Sequence, residues 1–240
     1  MFHILIILSS VVFYSIGIMG GRKALICFIA GVLINGGYLL YRSFHLGHLP
    51  VTGKYDVLLF TGLLCGVYLL RLYRSLPHDS NYILLLPVVF LFFAIFQERV
   101  DTISPEMNSL WLYLHMTLFV FAFSLLSTGS ATGIIYLMRK DSRFELLQYR
   151  FILSGWLFFS LSLIAGSVWF FLAQGVYWLW TAKELWLTIT WFYYGLYLHG
   201  RYVDFLKGET ASEIAVAGVF VILFAYLGVT PVLGSPWTQF

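Results

Sequence analysis

Two histidines and a run of tryptophans are the groups in this chain best suited to chemistry. His115 sits in Trp111-Leu112-Tyr113-Leu114-His115-Met116, flanked by apolar residues, and His199 closes Tyr197-Leu198-His199-Gly200-Arg201. A neutral imidazole offers one ring nitrogen to a metal. An ionisable side chain inside a membrane-type apolar segment is costly and points to function by default. The plainer account of His115 is an imidazole satisfied by a neighbouring hydroxyl. Five of the 8 tryptophans fall between Trp169 and Trp191, centred on Tyr177-Trp178-Leu179-Trp180-Thr181-Ala182-Lys183-Glu184-Leu185-Trp186. That is denser than an interfacial anchor belt requires. Trp169, Trp178, Trp180 and Trp186, with Glu184 among them, describe an aromatic shelf on which a large planar ligand can lie.

An imidazole from His115 beside such a shelf is one way to hold heme iron. His199 lies roughly 22 Å from Glu184 along a helix rising 1.5 Å per residue, so one iron cannot take both histidines. Either two sites exist on opposite sides of a bilayer, or one histidine is structural. His199 in a last helical turn also suits the negative end of the helix dipole. His45 and His48, in Phe44-His45-Leu46-Gly47-His48-Leu49-Pro50, are an i, i+3 pair without a third ligand close in sequence. They make a weak metal site, although His48 can reach over an outer ligand. His78, in Leu76-Pro77-His78-Asp79-Ser80-Asn81, reads as a solvated loop residue. Cys27 and Cys65 stand singly in apolar segments and read as packing residues rather than a redox pair. The chain holds no P-loop, no G-x-S-x-G, no H-E-x-x-H and no intramembrane string of carboxylates.

The elements that must position these groups are membrane helices. Of 240 residues 60% are hydrophobic and only 10% charged, whereas soluble domains carry about 25% charged residues. Eight apolar runs approach the roughly 20 residues needed to span hydrocarbon: about 2–20, 23–42, 55–73, 81–97, 109–138, 151–174, 183–200 and 211–230. They are continuous rather than alternating, which excludes a β-barrel. The expected architecture is all-α, a polytopic helical bundle of about eight transmembrane helices forming a single transmembrane domain over 1–240. The tryptophan-rich loop and its flanks cover about 169–191. The first run lacks a basic leader and a small-residue cleavage site, so it reads as a retained helix.

Basic residues orient the bundle. Connections after the odd-numbered runs hold Arg22, Lys23, Arg71, Arg74, Arg139, Lys140, Arg143, Arg150, Arg201 and Lys207; the alternate side holds Arg42, Lys54, Arg99 and Lys183. Both termini and the tryptophan-rich loop are therefore expected outside. This asymmetry accounts for the net charge of +3 and leaves no reason to invoke nucleic acid. Gly31, Gly36, Gly37, the Ser127-Thr128-Gly129-Ser130-Ala131-Thr132-Gly133 ladder and Gly166-Ser167 read as close helix-packing features.

Several stretches carry a family likeness. Gly47-His48-Leu49-Pro50 followed by Lys54-Tyr55-Asp56-Val57-Leu58-Leu59-Phe60 resembles G-H-F-P…L-Y-E-S-L-x-F. Trp111–Gly133 resembles a helix opening on L-H-V. Leu147-Gln148-Tyr149-Arg150 and Gly166-Ser167-Val168-Trp169 resemble S-Y-R…G-A-V-W. Trp178–Trp186 through Thr190-Trp191 and Tyr197–Arg201 resemble W-S-W-D-P-K-E-x-W…T-W…Y-L-H-T-R. Together, over about 42–229, the chain resembles the CcsA/ResC type of cytochrome c assembly protein (system II), a heme-handling membrane family with a tryptophan-rich outer loop. The resemblance implies that His115 ligates heme iron at the outer face and His199 at an inner, membrane-embedded position. There the partner ligand comes from a separate CcsB-like membrane subunit. It implies b-type heme, bound or in transit, presented to an apocytochrome c as part of a holocytochrome c synthase (heme lyase). It also implies residence in a bacterial inner (plasma) membrane or a thylakoid membrane, with the loop on the periplasmic or lumenal side.

Two departures stand out. Thr181 and Ala182 replace the aspartate and proline of W-D-P, and the tail from Gly228 to Phe240 carries no histidine where the family has its second outer one. Iron at the outer site is then five-coordinate, or ligated by His45, His48, Met116 or a partner. The leading functional expectation is a subunit that binds heme and presents it outside for covalent attachment to apocytochrome c. The alternative is a non-catalytic structural or regulatory subunit whose aromatic loop meets a partner. A transporter has little support, since no broken helix or inverted repeat is apparent.

Overall fold

The computed structural model describes residues 2–76, 78–102, 108–203 and 206–229. The side chain of His78 and the tail beyond Val229, on which two of the expectations above bear, lie outside the described residues. Eight α-helices occupy the eight expected positions: α1 Phe2–Ile16, α2 Gly21–Leu46, α3 Lys54–Leu72, α4 Leu86–Ile95, α5 Leu110–Arg139, α6 Ser142–Gln174, α7 Ala182–Gly200 and α8 Glu209–Leu223. No strand occurs among the described residues. Six helices, counting α1 to Met19 and α8 to Gly228, are long and apolar enough to cross a membrane. The other two, α4 and α7, fall short for different reasons. Residues His78–Leu85 wind as 3-10 turns, and an α-helical ladder begins only where Pro87 sits at its start, a position that proline favours. In α7 the length is sufficient, but Lys183, Glu184 and its threonines and tyrosines dilute the apolar content.

Helix ends follow cap chemistry more than hydropathy. Gly47, Lys140 and Gly175 close α2, α5 and α6 in the left-handed conformation. Ser109 caps α5 by accepting from the Leu112 N–H at 3.3 Å. Asp141 caps α6, which therefore starts nine residues before the expected 151. The additional turns carry Arg143, Glu145 and Gln148, polar residues that an apolar window excludes but a helix tolerates.

The described helices form two compact units, one up to Asn108 and one from Ser109. In the first, α1 and α2 pair closely, and Tyr14 fills the space left at Gly31. Helices α2 and α3 are joined by the Asn35 amide donating to the Leu59 carbonyl at 3.2 Å and by a buried ion pair. Arg42 donates through Nε and Nη2 to the two Asp56 oxygens at 2.6 and 2.9 Å, with side chains 3% and 0% exposed. Such a fork offsets the desolvation of both charges only because it is bidentate.

The second unit is built around α5. Ser127–Gly133 lets its neighbours approach: a Cβ on Gly129 would lie 2.8 Å from Ile152 Cγ1, and one on Gly155 would lie 2.8 Å from Leu126 Cγ. Ser130 donates to the Ala215 carbonyl of α8 at 2.6 Å. Gln148 donates to Tyr197 and accepts from Ser212, tying α6 to α7 and α8. Small residues and inter-helix hydrogen bonds thus replace the hydrophobic drive that is absent between helices in lipid.

Removing one partner of the ion pair leaves a buried charge. Arg42→Met or Asp56→Asn is expected to cost about 3–5 kcal/mol, while the double replacement Arg42→Met/Asp56→Leu costs much less. Thermal denaturation in detergent checks this; equal losses for single and double variants would show that the pair does not act as a unit.

Candidate functional site

His115, in the second turn of α5, lies against one face of α6. That face carries Ser162, Gly166 and Trp169, spaced i, i+4 and i+7. The imidazole Nδ1 lies 2.7 Å from the Ser162 carbonyl oxygen, and the Ser162 hydroxyl bridges Nδ1 and the His115 carbonyl at 3.0 Å each. A carbonyl can only accept, so Nδ1 carries the proton and Nε2 keeps the lone pair. Nε2 has no hydrogen-bond partner among the described residues. The approach requires Gly166, because a Cβ there would stand 2.7 Å from Nδ1. Trp169 lies parallel to the imidazole, ring centroids 6.3 Å apart and planes 7° from coplanar.

Beside this imidazole is a cavity of about 40 Å³, walled by Met116 and Phe119 of α5, Lys183 and Leu187 of α7, and Tyr226 after α8. It has room for a water molecule. A porphyrin requires those side chains to part, or meets the imidazole from its open side.

The loop from Val176 to Thr181 is largely exposed and shaped by one carboxylate. Glu184 Oε2 accepts from the backbone N–H groups of Leu179 and Thr181, both at 3.0 Å, while Thr181 Oγ1 accepts from the Glu184 N–H at 3.3 Å. This capping box brackets Trp180, which adopts φ +57° and is 67% exposed. A left-handed conformation is unusual for so large a residue, and the two hydrogen bonds on either side hold it. Trp178 meets Trp180 edge to face at 6.1 Å, and its buried Nε1 donor has no partner among the described residues. Tyr177 stacks on Phe171 at 4.3 Å, and Trp186 meets Phe224 edge-on at 4.7 Å. Glu184 organises the backbone of the shelf through Oε2. Thr181 supplies the N-cap of α7, a position at which threonine and aspartate both serve.

His199 stands at the other end of α7. Its Nδ1 donates to the Gly195 carbonyl at 2.9 Å, again leaving Nε2 with the lone pair. The residue is exposed, on an α7 stripe with Leu185, Ile189, Phe192 and Leu196. His48 belongs to the first unit, in the loop after α2, with Nδ1 3.0 Å from the Leu49 carbonyl. The structure therefore brings His115, Trp169 and the start of α7 together and sets His199 apart. Sequence reading passed over Ser162 and took Gly166 for a packing residue. The signal was a glycine one helical turn before Trp169, on the same face. Lys183, Leu187 and Tyr226 gave none, since only packing brings them to the cavity.

A family model described as Cytochrome C assembly protein matches residues 50–234, and the chain belongs to that family. It is 31% identical to the cytochrome c biogenesis protein CcsA of Chlamydomonas reinhardtii over 80% of its own length and 61% of that protein's. It is 26% identical to CcsA of Cyanophora paradoxa, covering 80% of this chain and 79% of the relative. The corresponding protein of Prochlorococcus marinus (strain MIT 9303) is also 26% identical, over 88% and 82%. A solved structure titled Cytochrome c Heme Lyase CcmF has a similar fold, with a TM-score of 0.68 and 19% identity, covering 93% of this chain and 46% of that one. The chain thus spans three-fifths of the algal relative and under half of the solved chain. It is an integral membrane protein with six helices, among the described residues, long and apolar enough to cross the bilayer.

The capping box yields a direct test. Thr181→Ala is expected to cost about 1 kcal/mol of local stability, whereas Thr181→Asp leaves it unchanged. Glu184→Ala frees the backbone around Trp180 and opens the loop to chymotrypsin after Tyr177, Trp178 or Trp180, read by mass spectrometry. Cleavage no faster than in the parent would show that the carboxylate does not hold the loop.

Proposed function

We propose that this protein handles heme as cargo for cytochrome c biogenesis, holding it through His115 and the tryptophan-rich loop for covalent attachment to an apocytochrome c. The observation that carries this reading is the state of His115. Iron-ligating histidines donate their other ring N–H to a backbone carbonyl or carboxylate, which fixes the tautomer and raises ligand basicity. Nδ1–H to the Ser162 carbonyl at 2.7 Å supplies that second contact and leaves Nε2 available. The unpartnered Trp178 Nε1 and the exposed Trp180 add a donor and an aromatic surface beside the same helix start. Heme, when bound, supplies an iron to be ligated and vinyl groups to which cysteine thiols add.

Within this reading the chain's own residues orient and protect. Trp169 keeps the imidazole plane fixed, the Glu184 clamp fixes the loop backbone around Trp180, and Lys183 places a cation at the mouth. His199, with its free Nε2 on an exposed face, takes heme at a second, inner position where a CcsB-like membrane subunit supplies the opposite ligand. The cargo is b-type before attachment, and the loop faces the periplasmic or lumenal side of a plasma or thylakoid membrane.

The test is the absorption spectrum and pyridine hemochrome of detergent-purified protein from heme-replete cells with its natural partners present. Bound heme is expected, with His115→Ala losing most of it and His199→Ala altering the Soret band. Gly166→Ala should leave the fold intact in thermal denaturation yet weaken heme retention by about 10–100-fold, the usual effect of disturbing a ligand's supporting contact. A colourless parent protein would overturn the proposal and leave a structural subunit with an aromatic docking loop.

A further inference from the structure

A second cavity lies apart from the one beside His115. It lies in the first unit, encloses about 140 Å³, and is bounded by His3 and Ile4 of α1, Tyr55 of α3, Ile95 of α4, and Gln97 and Arg99 beyond it. Its polar wall is built on a fixed chain of hydrogen bonds. His3 Nδ1 lies 2.8 Å from the Tyr38 hydroxyl, which lies 2.8 Å from the Tyr55 hydroxyl. The protons along this chain can run in two directions. In one, Tyr55 donates to Tyr38 and Tyr38 to His3, leaving His3 with a free Nε2–H. In the other, His3 donates to Tyr38 and Tyr38 to Tyr55, leaving the Tyr55 hydroxyl free to donate. Both end residues line the cavity, so either arrangement presents it with a donor not used by the chain.

The charges around it are also sorted. Asp56 and Asp101 both turn to Arg42, at 2.6 and 3.2 Å, and the Arg42 guanidinium lies 5.2 Å over the Tyr55 ring. Arg99 makes no ion pair or hydrogen bond among the described residues. The cavity is thus supplied with donors: an uncommitted guanidinium, one end of the tyrosine chain, and the second N–H of the Gln97 carboxamide, whose first donates to the Phe93 carbonyl at 3.4 Å. Ile4 and Ile95 form an apolar remainder. His3 and Tyr55 stand in the first turns of two helices able to cross a membrane, which places the cavity at headgroup depth. The neighbouring Phe2, Leu5 and Leu8 of α1 are exposed, as lipid-facing side chains are.

We infer that this cavity binds a phosphate group, that of an anionic phospholipid whose acyl chains run along the exposed face of α1. A guanidinium fork matches phosphate oxygens, and basic pockets between helix ends are where anionic headgroups settle. The volume takes a phosphate and its adjoining glycerol atoms, and the apolar side chains at the mouth take the rest. The site is independent of heme and of the second unit.

The experiment uses the full chain purified in detergent, with native mass spectrometry and thermal denaturation in the presence of phosphatidylglycerol, phosphatidylcholine or inorganic phosphate. Phosphatidylglycerol is expected to be retained at one molecule per chain and to raise the melting temperature more than phosphatidylcholine does. Arg99→Gln is expected to weaken that retention about fivefold, the effect of one basic side chain near an anionic headgroup. His3→Ala should weaken it too, while Arg22→Gln, an exposed basic residue elsewhere in the unit, should not. Inorganic phosphate that stabilises the parent but not Arg99→Gln would keep the phosphate site and assign it a soluble source. Equal retention of phosphatidylglycerol by the parent, Arg99→Gln and His3→Ala would overturn the inference, as would stabilisation by neither phosphate nor lipid.

Discussion

The contact between the His115 imidazole and the Ser162 carbonyl depends on how closely α5 and α6 approach. That approach exists because side chains are missing where the helices meet. Gly129 and Gly155 admit Ile152 and Leu126, and Gly166 admits the imidazole itself. In lipid, where apolar surfaces gain little from meeting one another, such gaps and the hydrogen bonds across them are what set helix positions. The same interface that holds the second unit together therefore determines which nitrogen of His115 bears the proton and which is left for a ligand. A methyl group at residue 166 would meet the imidazole itself and displace it from the Ser162 carbonyl.

The loop that follows α6 obeys a different constraint. Among the described residues nothing packs over most of it, and its shape comes from hydrogen bonds at the start of α7. One glutamate oxygen takes two backbone N–H groups and holds Trp180 in a conformation that a large side chain seldom adopts. Threonine, like aspartate, serves as an N-cap, so this end of the loop is capped with Thr181 in place. Oε2 of Glu184 is committed to backbone, and the residues it frames are aromatic.

The first unit spends its charges in a similar way. Arg42 and Asp56 are buried and matched, with Tyr38 and Tyr55 alongside, so helices α2 and α3 are held in one register. What remains unspent, Arg99 and one end of the tyrosine chain, faces a cavity. In both units the groups available to a ligand are those left over after a rigid polar framework has satisfied itself.

Composition and the lengths of the apolar runs were enough to read an all-helical membrane protein with helices at eight positions, because hydropathy over some 20 residues reports directly on burial in lipid. The ordered stretches over about 42–229, from Gly47-His48-Leu49-Pro50 to Tyr197-Leu198-His199-Gly200-Arg201, were enough to name the family, since each is a contiguous run of residues. Helix starts were less legible: α6 begins before its apolar portion, and Pro87 breaks the fourth run into two kinds of helix. The tautomer of His115 and the roles of Ser162, Gly166 and Lys183 were decided only by tertiary structure. They depend on which faces of α5, α6 and α7 meet, and residues 47 positions apart, as His115 and Ser162 are, share no local pattern that records their contact.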